Sequence, residues 1–573
     1  MVTATASDTT MYWLSRRIRN DQFLLYCFRD AGASGAELRA TIARRSASIP
    51  DLGLRLRPVP GELGYPRWVR GGTTSDQFVE YERPQWDWVT LCADLGELVG
   101  TGVDAAVCAW RLHVFRGVLG VPECGSDPAL IVVLQISHAL ADGRRAARIA
   151  RALFGTDSVQ SAAMMGGGRL PTRPRGRGRL LIAPDPHCRT GTHRFWSHPP
   201  RKGVRDAYRF PSTDRARDLV AAALAVFAMP IRIGQTLVRG VSAYRARRKL
   251  AELTASGGIP AAGPEYPPCV LNRPGRSARG DAPATSVGER DRPAVRDSLE
   301  AGHSIAETGV ESESGSPAEC SESAPAGGSI AAASTEGGSA PGDTRHLVRM
   351  IVFRASELRV PDMTVTVVAL TAISGALSHY LERRGQSVRR LGAHVPIALP
   401  PKSLERNSYR SLGIDLCITE PDIGVRAARI AEQVRLRRIR AAHPLLDAQD
   451  RVVAVVPAPL RFREIARYRL DTVPESIAGH TVVSSVRRGG ADLSFGGGAV
   501  VFTAGFPAIG SVMRLTHGVH GLGETVTLSM HADAATIPDL DDYAELLRAA
   551  ASEVVAALRN NASPVPPSAA PAR

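Results

Sequence analysis

At 573 residues and 44 % hydrophobic, the chain is long enough for two substantial domains, each able to bury its own core. Its net charge of +15 would ordinarily raise nucleic acid or an anionic membrane as a partner. Lys202, Lys249 and Lys402 are however the only lysines among 71 basic residues, an arginine bias typical of a GC-rich genome, and no zinc-finger spacing or RNA-binding signature accompanies it, which argues against nucleic acid.

In chain order, the polar start, 1–10, lacks the basic-then-apolar pattern of a secretion signal. A first ordered half runs from about residue 11 to 155, with a helix predicted over 35–46 and a continuous apolar, β-branched strand over Ala129–Ile136. A helix over 144–154 follows, with Ala147, Ile149, Ala150, Leu153 and Phe154 as its apolar positions. The next stretch, 161–213, is rich in Gly, Pro and Arg and is read as a flexible basic linker, either merely solvated or drawn to anionic headgroups.

Helical composition returns over 214–254, with an apolar centre at 219–229, a basic end at 245–249, and Pro230 placed to kink or divide it. That pattern fits an interdomain helix and a membrane-surface helix equally well. No apolar run reaches the roughly eighteen residues of a bilayer span. The segment 255–344, mostly Gly, Pro, Ser, Glu and Ala, reads as a largely disordered insertion. Order resumes in a second half, 345–560: a strand over 346–353, a helix over 364–383, strands over 479–486, 498–501 and 524–532, and a helix over 539–559 begun by acidic residues. A disordered tail, 561–573, is expected to close the chain. Strands mixed with helices in both halves imply an α/β or α+β sandwich for each. Eight cysteines without a C-x-x-C pair suggest reduced thiols, a cytoplasmic protein and no metal site.

The stretch richest in chemistry is Ser137-His138-Ala139-Leu140-Ala141-Asp142-Gly143, between the apolar strand and the helix after it. Imidazole is neutral and able to accept a proton at working pH, which makes His138 a candidate general base. Asp142 reads as an orienting group bonded to backbone or to a distant arginine, and Gly143 as permitting a tight turn or close helix packing. The alternative is a core-facing histidine capped by a loop aspartate. The H-x-x-x-D-G pattern is that of coenzyme A-dependent acyltransferases.

Further anchors make the chain resemble the bacterial wax ester synthase/acyl-CoA:diacylglycerol acyltransferases, relatives of the chloramphenicol acetyltransferase-like superfamily. Asp104, Trp110 and Leu112-His113-Val114 stand ahead of the motif as in that family. Val270-Leu271-Asn272-Arg273-Pro274, then His346-Leu347-Val348-Arg349-Met350, resemble its Leu-Asn and arginine-containing strand. Thr364 to Leu381, Val395-Pro396-Ile397 with Asn407, and Pro538-Asp539-Leu540-Asp541-Asp542 follow in the family's order. Three departures stand out: Ser137 replaces the first histidine of the family's pair, Thr366-Val367 its Asn-Asp, and Ser484-Ser485-Val486-Arg487-Arg488 its Ser-Asn-Val-Pro-Gly.

The resemblance implies an α/β (α+β sandwich) fold of two chloramphenicol acetyltransferase-like domains, related by a pseudo-two-fold axis, with an interdomain tunnel and His138 at mid-tunnel. It implies an O-acyltransferase moving a long-chain acyl group from acyl-CoA, a co-substrate rather than a cofactor, to diacylglycerol or a long-chain alcohol. His138, Asp142 and Gly143 would be its catalytic residues, and Ser137, Asn407 and Ser485 would meet substrate. Such a protein would be cytoplasmic, touching the inner face of the membrane or lipid inclusions peripherally. Two alternatives remain open: an inactive lipid-binding homologue, and an acyltransferase using a carrier-protein thioester. Trp110 reads as a packing residue.

Overall fold

The computed structural model describes residues 2–72, 75–83, 85–155, 212–273, 344–400, 405–470 and 472–561. Nearly all of the expected linker, most of the insertion and the tail fall outside these residues. The start of the insertion is packed: Tyr266 bridges to Ile477, and Leu271 and Asn272 are buried, with the Asn272 Nδ2 donating to the carbonyls of His480 and Val512.

The motif strand, Ala129–Ile136, is buried along its whole length, as its uninterrupted apolar sequence requires of a strand covered on both faces. Each of its large side chains contributes about 1.5–3 kcal/mol by burial. It pairs antiparallel with Gln22–Arg29 on one side and with Trp110–Leu119 on the other. Trp110 is a core residue, 1 % exposed, its indole donating to the Leu52 carbonyl at 2.9 Å. The second half is built on a six-stranded sheet in which Leu515–Leu522 and Thr525–Asp533 form an antiparallel pair, flanked by the edge strand His346–Arg354 and by Thr481–Arg487.

The two halves repeat one plan. In the first, Gln22–Arg29 leads to the helix Gly35–Ser48, and Trp110–Leu119 and Ala129–Ile136 lead to the helix Gly143–Phe154; Phe78–Tyr81 lies parallel to Trp110–Leu119. In the second, His346–Arg354 leads to the helix Val365–Arg383, and Leu515–Leu522 and Thr525–Asp533 lead to the helix Leu540–Asn561; Thr481–Arg487 lies parallel to Leu515–Leu522. This is the two-domain α/β arrangement expected from the sequence.

The expected division at residue 345 is not the division of the sheets. Ser494–Phe495 and Gly498–Phe506 leave the second half and join the seven-stranded first sheet, Gly498–Phe506 pairing antiparallel with Gln22–Arg29. The predicted strand 498–501 is thus longer than its apolar start suggested and ties the halves covalently and by hydrogen bonds. The helix Val365–Arg383 is long and apolar enough to cross a membrane, but it is a core helix, with Leu370, Ala372, Ile373, Ala376 and Leu377 at most 1 % exposed. The segment expected as a helical connector is a bent pair, Ser212–Phe227 and Met229–Ala255, meeting at 47° where Pro230 lies in the first turn of the second helix.

Candidate active site

The His138 turn is held from both sides. Asp142 accepts the Arg145 backbone N–H at 2.8 Å and so caps the helix Gly143–Phe154. Its other oxygen accepts the Ser408 N–H at 3.3 Å, while its own N–H donates to the Arg406 carbonyl at 3.1 Å. Asp142 is therefore bonded to backbone, the first of the two kinds of partner expected for it. Gly143 departs from expectation: its φ is not in the left-handed region, and an added Cβ would meet Val486 Cγ2 at an ordinary 3.6 Å. Neither turn geometry nor packing demands glycine there.

His138 is 9 % exposed, and its Nδ1 lies 2.8 Å from Asn407 Oδ1. The orientation of that amide follows from its other contacts. Asn407 Nδ2 faces two acceptors, donating to the His138 carbonyl at 2.8 Å and to Asp8 Oδ1 at 3.0 Å, so Oδ1 is the atom turned to the ring. An amide oxygen can only accept, so Nδ1 carries the proton and the imidazole's basic lone pair is on Nε2. Burial is the largest influence on the ring and pulls its pKa below the ordinary histidine value. Its own backbone carbonyl, the Asp142 charge and Asn407 pull the other way without overcoming it. The His138 imidazole thus has a defined tautomer, and burial favours its neutral form.

Asp8 is the anchor behind Asn407. It sits on the N-terminal helix Ala6–Ser15 and accepts the Asn407 N–H at 3.1 Å and the Arg406 N–H at 3.2 Å as well as the Asn407 side chain. Burial pushes its carboxyl above the usual range, against these hydrogen bonds. A second carboxylate, Asp51, clamps the same junction. It accepts two bonds from Arg145, each 2.9 Å, and one from Arg406 at 2.8 Å. Burial alone would raise Asp51, but the two guanidiniums outweigh it and hold the group below its ordinary value. Arg406 also stacks over Trp68 at 4.7 Å, and the Tyr409 ring lies 5.9 Å from that of His138.

Of the residues expected to meet substrate, Asn407 is instead engaged with His138 and Asp8. Ser137 is 1 % exposed, with its N–H on the Ala109 carbonyl and its hydroxyl without a partner among the described residues. Ser485 shares a hydrogen bond of 2.8 Å with Thr366, so two positions that depart from the family pattern satisfy each other. Its neighbour Val486 packs near Gly143, which puts this strand end beside the motif helix. Asp8, Asp51 and Arg406 escaped the sequence reading. The one legible signal was Asp8 sharing a helix with Met11 and Tyr12, three and four residues on, an acid set on an apolar face.

Two cavities lie elsewhere. One, of about 240 Å³, is lined by Val59, Tyr65, Ala225, Met229 and Pro457, and the other, of about 270 Å³, by Arg345, Arg349, Pro538 and Asp541. Neither borders His138, so the expected interdomain tunnel is not one of them.

No protein-family model and no curated protein matches the sequence. Among solved structures, a wax ester synthase/diacylglycerol acyltransferase from Marinobacter aquaeolei VT8 superposes with a TM-score of 0.50 at 13 % identity, over 97 % of this chain and 98 % of that one. A starter condensation domain of rhizomide synthetase, in complex with C8-CoA, gives 0.46 at 11 % identity, over 97 % and 94 %. The epimerization domain from the third module of tyrocidine synthetase B gives 0.42 at 11 %, over 98 % and 97 %. The first of these likenesses establishes the fold.

Proposed function

We propose that the protein is an acyl-CoA-dependent O-acyltransferase with His138 as general base. His138 Nε2 takes the hydroxyl proton of a diacylglycerol or long-chain alcohol. The oxygen attacks the thioester carbonyl, the tetrahedral intermediate collapses with cleavage of the carbon–sulfur bond, and the imidazolium returns its proton to the coenzyme A thiolate. The products are a triacylglycerol or wax ester and free coenzyme A, and the cycle calls for no cofactor. The observation that carries this reading is the lock on the imidazole: Asn407, from the other half of the molecule, fixes Nδ1–H, and burial keeps the ring neutral. The core histidine His113 is held at both ring nitrogens by Tyr81 and Gln135 of its own sheet, whereas His138 stands in a strand-to-helix turn and is braced by Asn407 from the other half. The fold shared with a wax ester synthase supports an acyl donor and a lipid alcohol over other acyl-transfer partners. Acceptors of that kind reside in bilayers or lipid inclusions, so the reading includes peripheral contact of a cytoplasmic protein with such a surface.

The test is release of free coenzyme A from palmitoyl-CoA by the purified protein, with diacylglycerol or hexadecanol as acceptor, beside His138→Ala. Acceptor-dependent release that disappears in the variant is the expected result. Equal release by both folded proteins removes His138 as base, and none from either across several chain lengths favours a noncatalytic lipid-binding role.

A further inference from the structure

The bent helix pair is turned inside out relative to an ordinary surface helix. In Met229–Ala255 the side that meets the body of the protein carries Arg232 over the Tyr65 ring at 5.6 Å, Thr236 donating to the Val455 carbonyl at 3.3 Å, and Arg239 donating to the Arg451 carbonyl at 3.0 Å, with Ala246 and Leu250 buried beside them. These positions recur every three or four residues, as one helical face does. The opposite side presents Ile231 (65 % exposed), Leu237 (68 %), Val238 (72 %) and Tyr244 (68 %). Ser212–Phe227 repeats the inversion: Asp218 turns inward to pair with Arg57 at 2.7 Å, while Leu219, Leu224 and Phe227 are 66 %, 64 % and 80 % exposed. A soluble surface scatters exposed large apolar groups singly; a contiguous row along two joined helices marks an interface.

We infer that this outer face is a docking surface for an anionic lipid bilayer, with the helix pair lying along the headgroup boundary. Charge complementarity selects that occupant. The apolar row runs into Arg245, Arg247, Arg248 and Lys249, a cluster in which, among the described residues, Glu252 pairs with Arg248 at 3.3 Å and Lys249 at 3.7 Å. A second copy seated on the face would bring another chain of net charge +15 against this cluster, whereas anionic headgroups neutralise it. Spanning is excluded by the inward contacts to Arg57, Tyr65 and Val455, which hold one side of the pair on the protein. An interfacial helix needs apolar side chains to insert and basic ones to reach phosphate, and both are present on the free side. The inference rests on the lipid contact proposed above and stands apart from the chemistry of His138.

Flotation of the full chain with vesicles of phosphatidylcholine containing about 30 % phosphatidylglycerol tests it, since surface potential scales with the anionic fraction. Leu224→Ser/Phe227→Ser/Leu237→Ser is expected to lower the partition coefficient at least tenfold, and Arg245→Ser/Arg247→Ser to remove the preference for anionic vesicles. Val89→Ser, at another exposed apolar site, is expected to leave binding unchanged, and so is His138→Ala, which separates failure of docking from failure of catalysis. The inference is overturned by triple-variant protein that floats like the parent, by equal binding to pure phosphatidylcholine, or by a folded parent that ignores vesicles. Sedimentation showing a dimer that the triple substitution dissociates, without vesicle binding, assigns the face to a second copy instead.

Discussion

The turn that carries His138 and its counterpart in the second half have the same length and place. Residues 137–142 join Ala129–Ile136 to Gly143–Phe154, and residues 534–539 join Thr525–Asp533 to Leu540–Asn561. Each ends in an aspartate at the helix entrance, Asp142 and Asp539, but where the first turn has His138 in its second position the other has Ala535. Their bracing differs in kind. The first is gripped by residues 406–408 from the other half, through Asn407 on His138 and Ser408 on Asp142. The second is gripped from within its own half: Tyr380 donates to Asp539, and Arg384 donates to the Thr536 carbonyl at 2.9 Å, both from the end of Val365–Arg383. The aspartate therefore belongs to the fold, and what sets the first turn apart is the added histidine and a brace that comes across the domain boundary.

If that contrast is right, removing the added group is the most damaging change. His138→Ala should cost roughly 10²–10⁴ in kcat, the range of a positioned general base, with the protein still folded. Next comes the brace. Asn407→Leu leaves the imidazole in place but frees its tautomer and orientation, and a misplacement of this kind costs about 10² in rate. The loss should fall on kcat, with KM for acyl-CoA nearly unchanged, beside about 1–3 kcal/mol of stability because Asp8 and the His138 carbonyl lose their buried donor. An effect on stability alone would show that Asn407 serves packing, and that the first turn is no different from the second.

The pH dependence sharpens the same point. Because burial lowers the His138 pKa, the ring is already neutral at pH values where a solvent-exposed histidine is half charged. The acid limb of kcat/KM should thus lie below the ordinary value of about 6.5, falling about tenfold per pH unit once the ring is protonated. A limb at or above 6.5 in the free enzyme would contradict the buried, amide-locked imidazole.

What could be read from the sequence follows from the range of the interactions involved. The strand Ala129–Ile136 was legible because a run buried on both faces must be apolar throughout, and the helix after it because its apolar positions recur with helical spacing. His138 was legible from residue type and local spacing alone. Asn407 was noticed but given substrate to hold, because nothing local shows that 269 residues of chain separate two atoms 2.8 Å apart. Asp8 and Asp51 stayed hidden for the same reason. The crossing of Gly498–Phe506 into the first sheet was equally out of reach, since an apolar strand looks alike whichever sheet it joins. At 219–229 the sequence could not tell an interdomain helix from a surface helix, because apolar content does not say which side meets the protein; the inward positions of Asp218, Arg232 and Arg239 do.

The smallest expected effect bears most directly on the two turns. If the aspartates are fold elements, Asp142→Ala and Asp539→Ala should each cost about 1 kcal/mol of stability, the usual price of a lost cap or a buried hydrogen bond. For Asp539 that should be the whole effect, since its partner Tyr380 and the neighbouring Arg384 lead only into the second core. Asp142 carries one contact more, the Ser408 N–H, which fixes the segment that presents Asn407. Asp142→Asn keeps one acceptor, for the Arg145 N–H that caps the helix, but sets its amide NH2 against the Ser408 N–H. It should therefore restore only part of the stability and of kcat, while also removing a nearby negative charge that favours the imidazolium. That loss moves the acid limb further down in pH, whereas Asp539→Asn leaves it where it was. Thermal unfolding with kcat/KM profiles on these four variants separates the outcomes: kcat lost in Asp142→Asn with stability partly restored would make the carboxylate part of the chemistry and end the equivalence of the two turns.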